Sequence, residues 1–360
     1  DYKFEMITER PTYVADSILA EWTNVVYKDI GNGEFIFSGP YKIENLEPDK
    51  EVVLSPNEFY PDADKRKNVI AKAFKDESSL KLAYESKELD MAFVLTPEVA
   101  GKLESEGKTI KQIDAGYQYF TMLNLENEIM KDIDFRQALD LGLNRNDYIS
   151  ALRGGRVANG LFAQYYPFAG NTELEYNIEL ANEKLDNLGW LVGDDGIREK
   201  DGKKLELKLV TYPTRPDLVI IMQIMNSQLK DLGISSKTEL QDDIYKAGQS
   251  GDFDLLIHAQ HTAPTSEPSF FLNQFFRTDA STNHSRYSSE EFDNVLTELG
   301  NEEDLEKRYN LAIKAQEILH EDLPVLFLID PQWHIGVSEE LSNYQPYCGD
   351  YFTINNKLGL

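Results

Sequence analysis

Residues 205–259 carry the pattern that narrows the fold most. Leu205 to Tyr212 alternates apolar and charged side chains, the period-2 signature of a strand with one buried face. Pro216 to Leu232 then places Leu218, Met222, Met225 and Leu229 at helical spacing and stops at Gly233. Ile234 to Leu240 is extended again, and Phe253 to Ala259 is a nearly continuous apolar strand. Strand, helix, strand in that order normally gives a parallel pair joined by a right-handed crossover, so an α/β fold is expected. Ligands in such sheets sit beyond the carboxyl ends of the strands. The two places to look are therefore Tyr212 to Arg215 and His258 to Thr265.

The rest of the chain fits the same alternation. Phe35 to Lys42 (FIFSGPYK) alternates around a Ser-Gly-Pro turn, and Glu51 to Leu54 continues extended. Residues 77–88 read as helix, Asp90 to Val94 as a short strand, and Glu98 to Glu106 as a second brief helix. Tyr117 to Leu123 (YQYFTML) is rich in strand formers. Asp132 to Ser150 puts Phe135, Ala138, Leu139 and Gly142 on one helical face, and 178–188 repeats the pattern up to Gly189. A last helix over about 304–320 leads into the buried strand Pro324 to Ile329, and the tail from Trp333 lacks helical period. No internal repeat or low-complexity tract is evident. Asp1-Tyr2-Lys3-Phe4 reads as strand-like sequence rather than a signal peptide, so the mature protein is expected to start earlier.

At 360 residues the chain exceeds what one core comfortably supports, and two lobes are expected. Its 63 acidic against 36 basic residues give a net charge of −27, which repels phosphate backbones and anionic lipid heads and disfavours nucleic-acid partners. Much of that charge serves solubility, although a cationic ligand would be tolerated. No apolar run approaches the roughly 20 residues a membrane-spanning helix needs. The single cysteine, Cys348, can form neither an intramolecular disulfide nor a thiolate metal cage.

Catalytic motifs are absent: the sequence holds no G-x-S-x-G, H-E-x-x-H, P-loop or G-x-G-x-x-G. Paired acids such as Asp194-Asp195 and Asp242-Asp243 fall in polar turns, where nothing would separate their pKa values for acid–base work. The chain is therefore expected to bind rather than to catalyse, with no cofactor of its own. Of its five histidines, His258 and His261 lie at the end of the buried strand and His284 in the polar loop Thr278 to Tyr287. Imidazole suits nickel, copper and zinc. The alternative is that His258 points into the core and His261 caps a loop. Tyr117, Tyr119 and Phe120, and Tyr165, Tyr166 and Phe168, form aromatic clusters that suit packing as well as a ligand cage. Arg215, at a strand end, is placed either to clamp a carboxylate bidentately or to lie on the surface.

Several segments in order resemble one family. Phe37 to Ile43 (FSGPYKI), Glu88 to Ala92 (ELDMA), Tyr119 to Leu125 (YFTMLNL) and Asp134 to Arg145 (DFRQALDLGLNR) are similar to strand turns and helix starts of the peptide/nickel/opine-type (family 5) extracellular solute-binding proteins of ABC importers. Leu185 to Trp190, Gln228 to Ile234 and Gly251 to Leu255 follow in the same order. The resemblance implies an α/β clamp that closes over its ligand, the two-lobe periplasmic-binding-protein-like fold (class II/cluster C), N-terminally truncated here. Residues 1–116 would be a partial lobe I, 117–333 lobe II and 334–360 a C-terminal return to lobe I. It also implies ABC permease subunits as partners, an extracytoplasmic location (periplasm or cell surface), and a lipoprotein anchor upstream of Asp1 as the sole membrane attachment. With half of the clamp missing, the fragment itself would have a weakened hold on ligand.

Within that resemblance the ligand class turns on the loop after Phe253 to Ala259. Peptide-binding members carry there an aspartate for the α-ammonium, and the matching position is Pro264. A buried ammonium without a carboxylate would stay unpaired. Glu267 is the remaining candidate for that role. Gly160 to Gln164 (GLFAQ) and the Ala263-Pro264 wording resemble the nickel/metallophore branch instead, with His261 where that branch has tryptophan and Thr265 where it has tyrosine. The expected contacts are Tyr117, Tyr119, Tyr212, Arg215, His261 and Thr265 for the chelator and His284 for the metal. The expected ligand is nickel or another divalent metal in a small chelator. A di- or oligopeptide is the alternative, and a chaperone-like or signalling binding module is a second one.

Overall fold

The computed structural model describes residues 3, 5–9, 12–21, 23–348 and 353–360, so most of the strand expected over residues 1–4 lies outside the described residues. The chain divides into two compact units, a smaller one of Leu19–Ala115 with Gln332–Leu360 and a larger one of Asp1–Ile18 with Gly116–Pro331.

After the short helix α1 (Ala15–Leu19), the smaller unit opens with the antiparallel hairpin β1 (Tyr27–Gly31) and β2 (Glu34–Phe37). A three-stranded antiparallel sheet follows: β3 (Tyr41–Glu47), β4 (Glu51–Pro56) and β5 (Val69–Lys72). Helix α2 (Glu77–Glu85) starts at Asp76, whose carboxylate accepts the Ser79 N–H at 2.8 Å, and leads to β6 (Met91–Leu95). Helix α3 (Pro97–Ser105) has Pro97 at its first position, where the missing N–H costs nothing, and β7 (Ile110–Asp114) closes this part.

The larger unit is built on a six-stranded sheet. Its members are β8 (Tyr117–Leu123), β9 (Arg156–Val157), β13 (Glu206–Thr211), β14 (Ser235–Leu240), β15 (Leu255–His261) and β16 (Val325–Asp330), in the order β14-β13-β15-β8-β16-β9. A separate small sheet, β10 (Leu191–Val192), β11 (Arg198–Lys200) and β12 (Lys203–Lys204), lies between them in sequence. β13 pairs in parallel with both β14 and β15, and the helix between β13 and β14 is the crossover that the 205–240 pattern called for. β8 runs antiparallel between β15 and β16, and all seven of its residues are buried, because helices and loops cover both faces. One face carries the main core, in which Phe120, Leu256, Phe271, Phe275 and Phe327 meet.

Two helical readings needed correction. Residues 132–150 are not one helix but α4 (Ile133–Gly142) and α5 (Arg145–Leu152), broken at Leu143 and Asn144. Asn144 accepts the Asn146 N–H at 3.2 Å, and buried Arg145 donates to the Leu143 and Phe327 carbonyls at 3.1 Å each. Continued helix would leave that buried guanidinium without those acceptors. α6 (Ile178–Asn187), α7 (Pro216–Asp231), α8 (Ile244–Ser250) and α9 (Ser269–Phe275) precede α10 (Glu290–Asn301), which the sequence reading passed over. α11 (Leu305–Asp322) then feeds β16. Beyond Pro331 the chain ends in the smaller unit, where β17 (Gln332–Val337) lies antiparallel between β6 and β7. Among the described residues no helix is long and apolar enough to cross a membrane.

Candidate functional site

Strand register decides which side chains share a surface. His261 pairs with Tyr117 and Ala259 with Tyr119, so Tyr117, Tyr119 and His261 project to one side of the β8–β15 ladder. His258 pairs with Phe120 and projects to the other. Three residues along a strand reverse the face, so H-x-x-H here separates its two imidazoles.

Arg215 reaches the first of those faces from the carboxyl end of β13. It is the extended residue just before α7, with Pro216 at the first helical position. Its guanidinium lies 4.0 Å from the centroid of the Tyr117 ring, a close cation–π contact. Tyr117 also stacks on His261, with ring centroids 5.4 Å apart and planes 27° from parallel. Tyr212, one residue past β13, is hydrogen-bonded to Arg215; burial pushes its hydroxyl pKa up and the guanidinium opposes the shift. Tyr119 is fully buried and donates its hydroxyl to the Asp217 carboxylate at 2.9 Å. Tyr117, Tyr212, Arg215 and His261 thus form one contiguous group of a cation, two phenols and an imidazole, with Tyr119 anchoring it to α7.

The loop after β15 is held by the Tyr166 hydroxyl, which donates to the Ala263 carbonyl at 2.7 Å. Thr262 and Thr265 leave their hydroxyls without a hydrogen-bond partner among the described residues. Glu267 is committed elsewhere. It accepts Arg308 at 2.7 Å and the Ser269 N–H at 2.9 Å, and both charged side chains are about 5% exposed or less. A carboxylate paired in this way holds the fold together and presents nothing to an ammonium, which corrects the role expected for Glu267.

His284 stands apart from the Arg215 group. It is fully buried, its ring meets Tyr245 edge-on at 6.2 Å, and a side chain at Gly248 would collide with it. His258 is buried with it, stacked on Phe120 at 5.5 Å and in contact with Tyr245, Tyr212 and Phe275. Among the described residues neither imidazole has a hydrogen-bond partner on its ring nitrogens. Desolvation, then the neighbouring His284 and Arg215, hold the His258 pKa down to about 3; desolvation and Arg286 hold His284 at about 4. Both are neutral near pH 7. Among the described residues no group of three or more His, Cys, Asp or Glu side chains is arranged to hold a metal ion. Asp217 and Tyr245 were missed as members of this neighbourhood, while His258 lies in the core, the alternative weighed for it. Only the face reversal between His258 and His261 was readable in advance.

Residues 1–283 match the model of the bacterial extracellular solute-binding proteins, family 5 Middle. The chain belongs to that family. Among its relatives, the nickel-binding protein NikA of Staphylococcus aureus is 22% identical over 95% of this chain and 68% of its own length. The oligopeptide-binding protein AppA of Bacillus subtilis is 25% identical over 89% of this chain and 62% of its own length, so the chain spans less than two thirds of that family 5 relative. Among solved structures, Staphylococcus aureus NikA in complex with Ni(L-His)2 superposes with a TM-score of 0.76 at 20% identity, covering 94% of this chain and 73% of that one. The two-lobe α/β fold is that of the family 5 proteins, and these relatives are binding proteins, not enzymes.

Proposed function

We propose that this family 5 chain is the substrate-binding subunit of an ABC importer and takes up a divalent metal, nickel foremost, wrapped in a small carboxylate-bearing chelator. The observation that carries the reading is Arg215 seated on Tyr117 beside His261, in a group whose nearby acids are already engaged. Asp217 accepts Tyr119, and Glu267 is locked to Arg308. A guanidinium fork suits the chelator's carboxylates, and the aromatic rings suit its apolar edges. His261 is the imidazole in reach of such a complex, while His284 acts from the interior as packing. Tyr117 shares the His261 face, Tyr212 joins the group through its hydrogen bond to Arg215, and Thr265 adds a hydroxyl from the adjoining loop. The partners would be permease subunits, and the location extracytoplasmic with a lipid anchor.

Isothermal calorimetry with Ni2+ plus L-histidine, Ni2+ alone, and tri- to nonapeptides tests the proposal. Binding of the chelate with at least about 10-fold preference over peptides is expected, because the loop after β15 offers no unpaired carboxylate to an ammonium. Tighter binding of peptides would overturn it in favour of the oligopeptide reading, which the kinship with AppA supports. Chelate binding without capture of any permease would point to a signalling module.

A further inference from the structure

The turn from β13 into α7 is held to β8 at two points. Tyr117 and Tyr119 lie two residues apart on β8 and project to the same side of the sheet. Arg215 and Asp217 lie two residues apart across the start of α7, with Pro216 between them. The Arg215 guanidinium sits 4.0 Å from the Tyr117 ring centroid, and the Tyr119 hydroxyl donates to the Asp217 carboxylate at 2.9 Å. β15 separates β8 from β13 in the sheet, so these two contacts bridge the strand between. Opposite Tyr119 on β15 is Ala259, whose methyl leaves room for the bridge.

Helix chemistry does not explain the arginine. Arg215 occupies the N-cap, where Ser, Thr, Asp and Asn are preferred because their short side chains accept free backbone N–H groups, and it makes no such bond. Tyr119, at 1% exposure, has no surface to offer a ligand. A mobile arginine loses rotamer freedom worth up to about 2 kcal/mol when it clamps a carboxylate. Fixing its backbone and laying its guanidinium on a ring removes part of that cost before the ligand arrives. We infer that Tyr119 and Asp217 are positioning residues: their hydrogen bond fixes the start of α7 and so holds the Arg215 guanidinium on Tyr117, without either residue touching the ligand. The use made of the held guanidinium rests on the metal-chelate reading proposed above, whereas the holding itself does not.

Tyr119→Phe removes the hydroxyl and keeps the ring, and two measurements on the 360-residue chain use it. NMR relaxation of the Arg215 Nε–Hε group, assigned by its loss in Arg215→Ala, reads order in the ligand-free protein. An order parameter near about 0.85 is expected for the wild type, and one below about 0.6 for Tyr119→Phe and for Asp217→Ala. Calorimetry with Ni2+ plus L-histidine should show Tyr119→Phe binding about 10-fold more weakly than the wild type. In an Arg215→Ala background the same substitution should cost less than about 2-fold, because the arginine it positions is gone. A direct ligand contact through Tyr119, or a general loosening of the sheet, would weaken binding equally in both backgrounds and overturn the inference. An Arg215 order parameter unchanged by Tyr119→Phe would overturn it as well. Absence of Ni2+–L-histidine binding by the wild-type chain would sink the metal-chelate reading instead, and the relaxation measurement would then decide the positioning role by itself.

Discussion

β8 and β4 are both central strands of antiparallel neighbours, and they could hardly differ more in what surrounds them. Every residue of β8 is buried, and Phe120 on it touches His258, Phe271 and Phe275. β4 has Ser55 as its one fully buried residue. The difference teaches that strand-forming sequence sets backbone pairing in both places, while the free energy of burial goes only where a second layer exists. The larger unit has that layer on both sides of its sheet, so it can bury charged groups as pairs, as with Glu267 and Arg308. The smaller unit has a modest core of Tyr84, Ala92, Leu95, Ala100 and Leu103 beside α2, α3 and β6, and little on its three-stranded sheet.

That contrast can be broken most directly in the larger unit's core. Phe275→Ala removes a ring packed against Phe120, Phe271 and Phe276 and should cost about 3–5 kcal/mol in urea unfolding. A loss under about 1 kcal/mol would mean that the core is no better packed than the β4 sheet. Glu267→Ala strands the Arg308 guanidinium in the interior and should cost about 3–5 kcal/mol as well, with ligand affinity otherwise intact where the protein stays folded. If Glu267 instead served a ligand ammonium, affinity would collapse while stability barely moved.

The buried imidazoles sharpen the comparison by pH. Their folded pKa values of about 3 and about 4 lie below the unfolded value of 6.5, so the folded state binds fewer protons. Their contribution is fully present above pH 6.5 and is lost as pH falls toward those folded values. Between pH 7 and pH 5 each should remove about 2 kcal/mol from the larger unit. Urea midpoints at the two pH values check this, and His258→Phe should flatten the slope by about half. An unchanged slope would show that His258 is not held neutral.

Smaller effects belong at the rim and on the exposed sheet. Arg215→Ala should leave the unfolding midpoint nearly unchanged and weaken chelate binding about 10- to 100-fold, through the lost guanidinium and its contact with Tyr117. Ile70→Ser, at a position 54% exposed on β5, should shift stability by no more than about 0.5 kcal/mol, measured beside Phe275→Ala in the same assay.

Much of the fold was legible because periodicity is local. The 205–240 strand–helix–strand unit, the strand at Tyr117 to Leu123 and the helix over about 304–320 emerged close to the expected bounds, since each alternates or repeats over enough residues to declare its face. The break at Asn144 was hidden because its reason, the seating of Arg145 against the Phe327 carbonyl, comes from a strand almost two hundred residues away. The site divided in the same way. Arg215, Tyr212, Tyr117 and His261 could be nominated from strand ends. The commitment of Glu267 to Arg308 and the retreat of His284 behind Tyr245 depend on partners distant in sequence.

The sequence by itself determined the α/β class, the parallel β13–β14 crossover, the family, and the strand ends at which the Arg215 group gathers. These follow from side-chain period and from motifs read along a continuous stretch. The tertiary structure decided which charges remain available, which imidazole joins the Arg215 group and which sheet goes uncovered. Burial and pairing depend on what packs from elsewhere in the chain, and desolvation, which sets the cost of each polar group, exists only once that packing has formed.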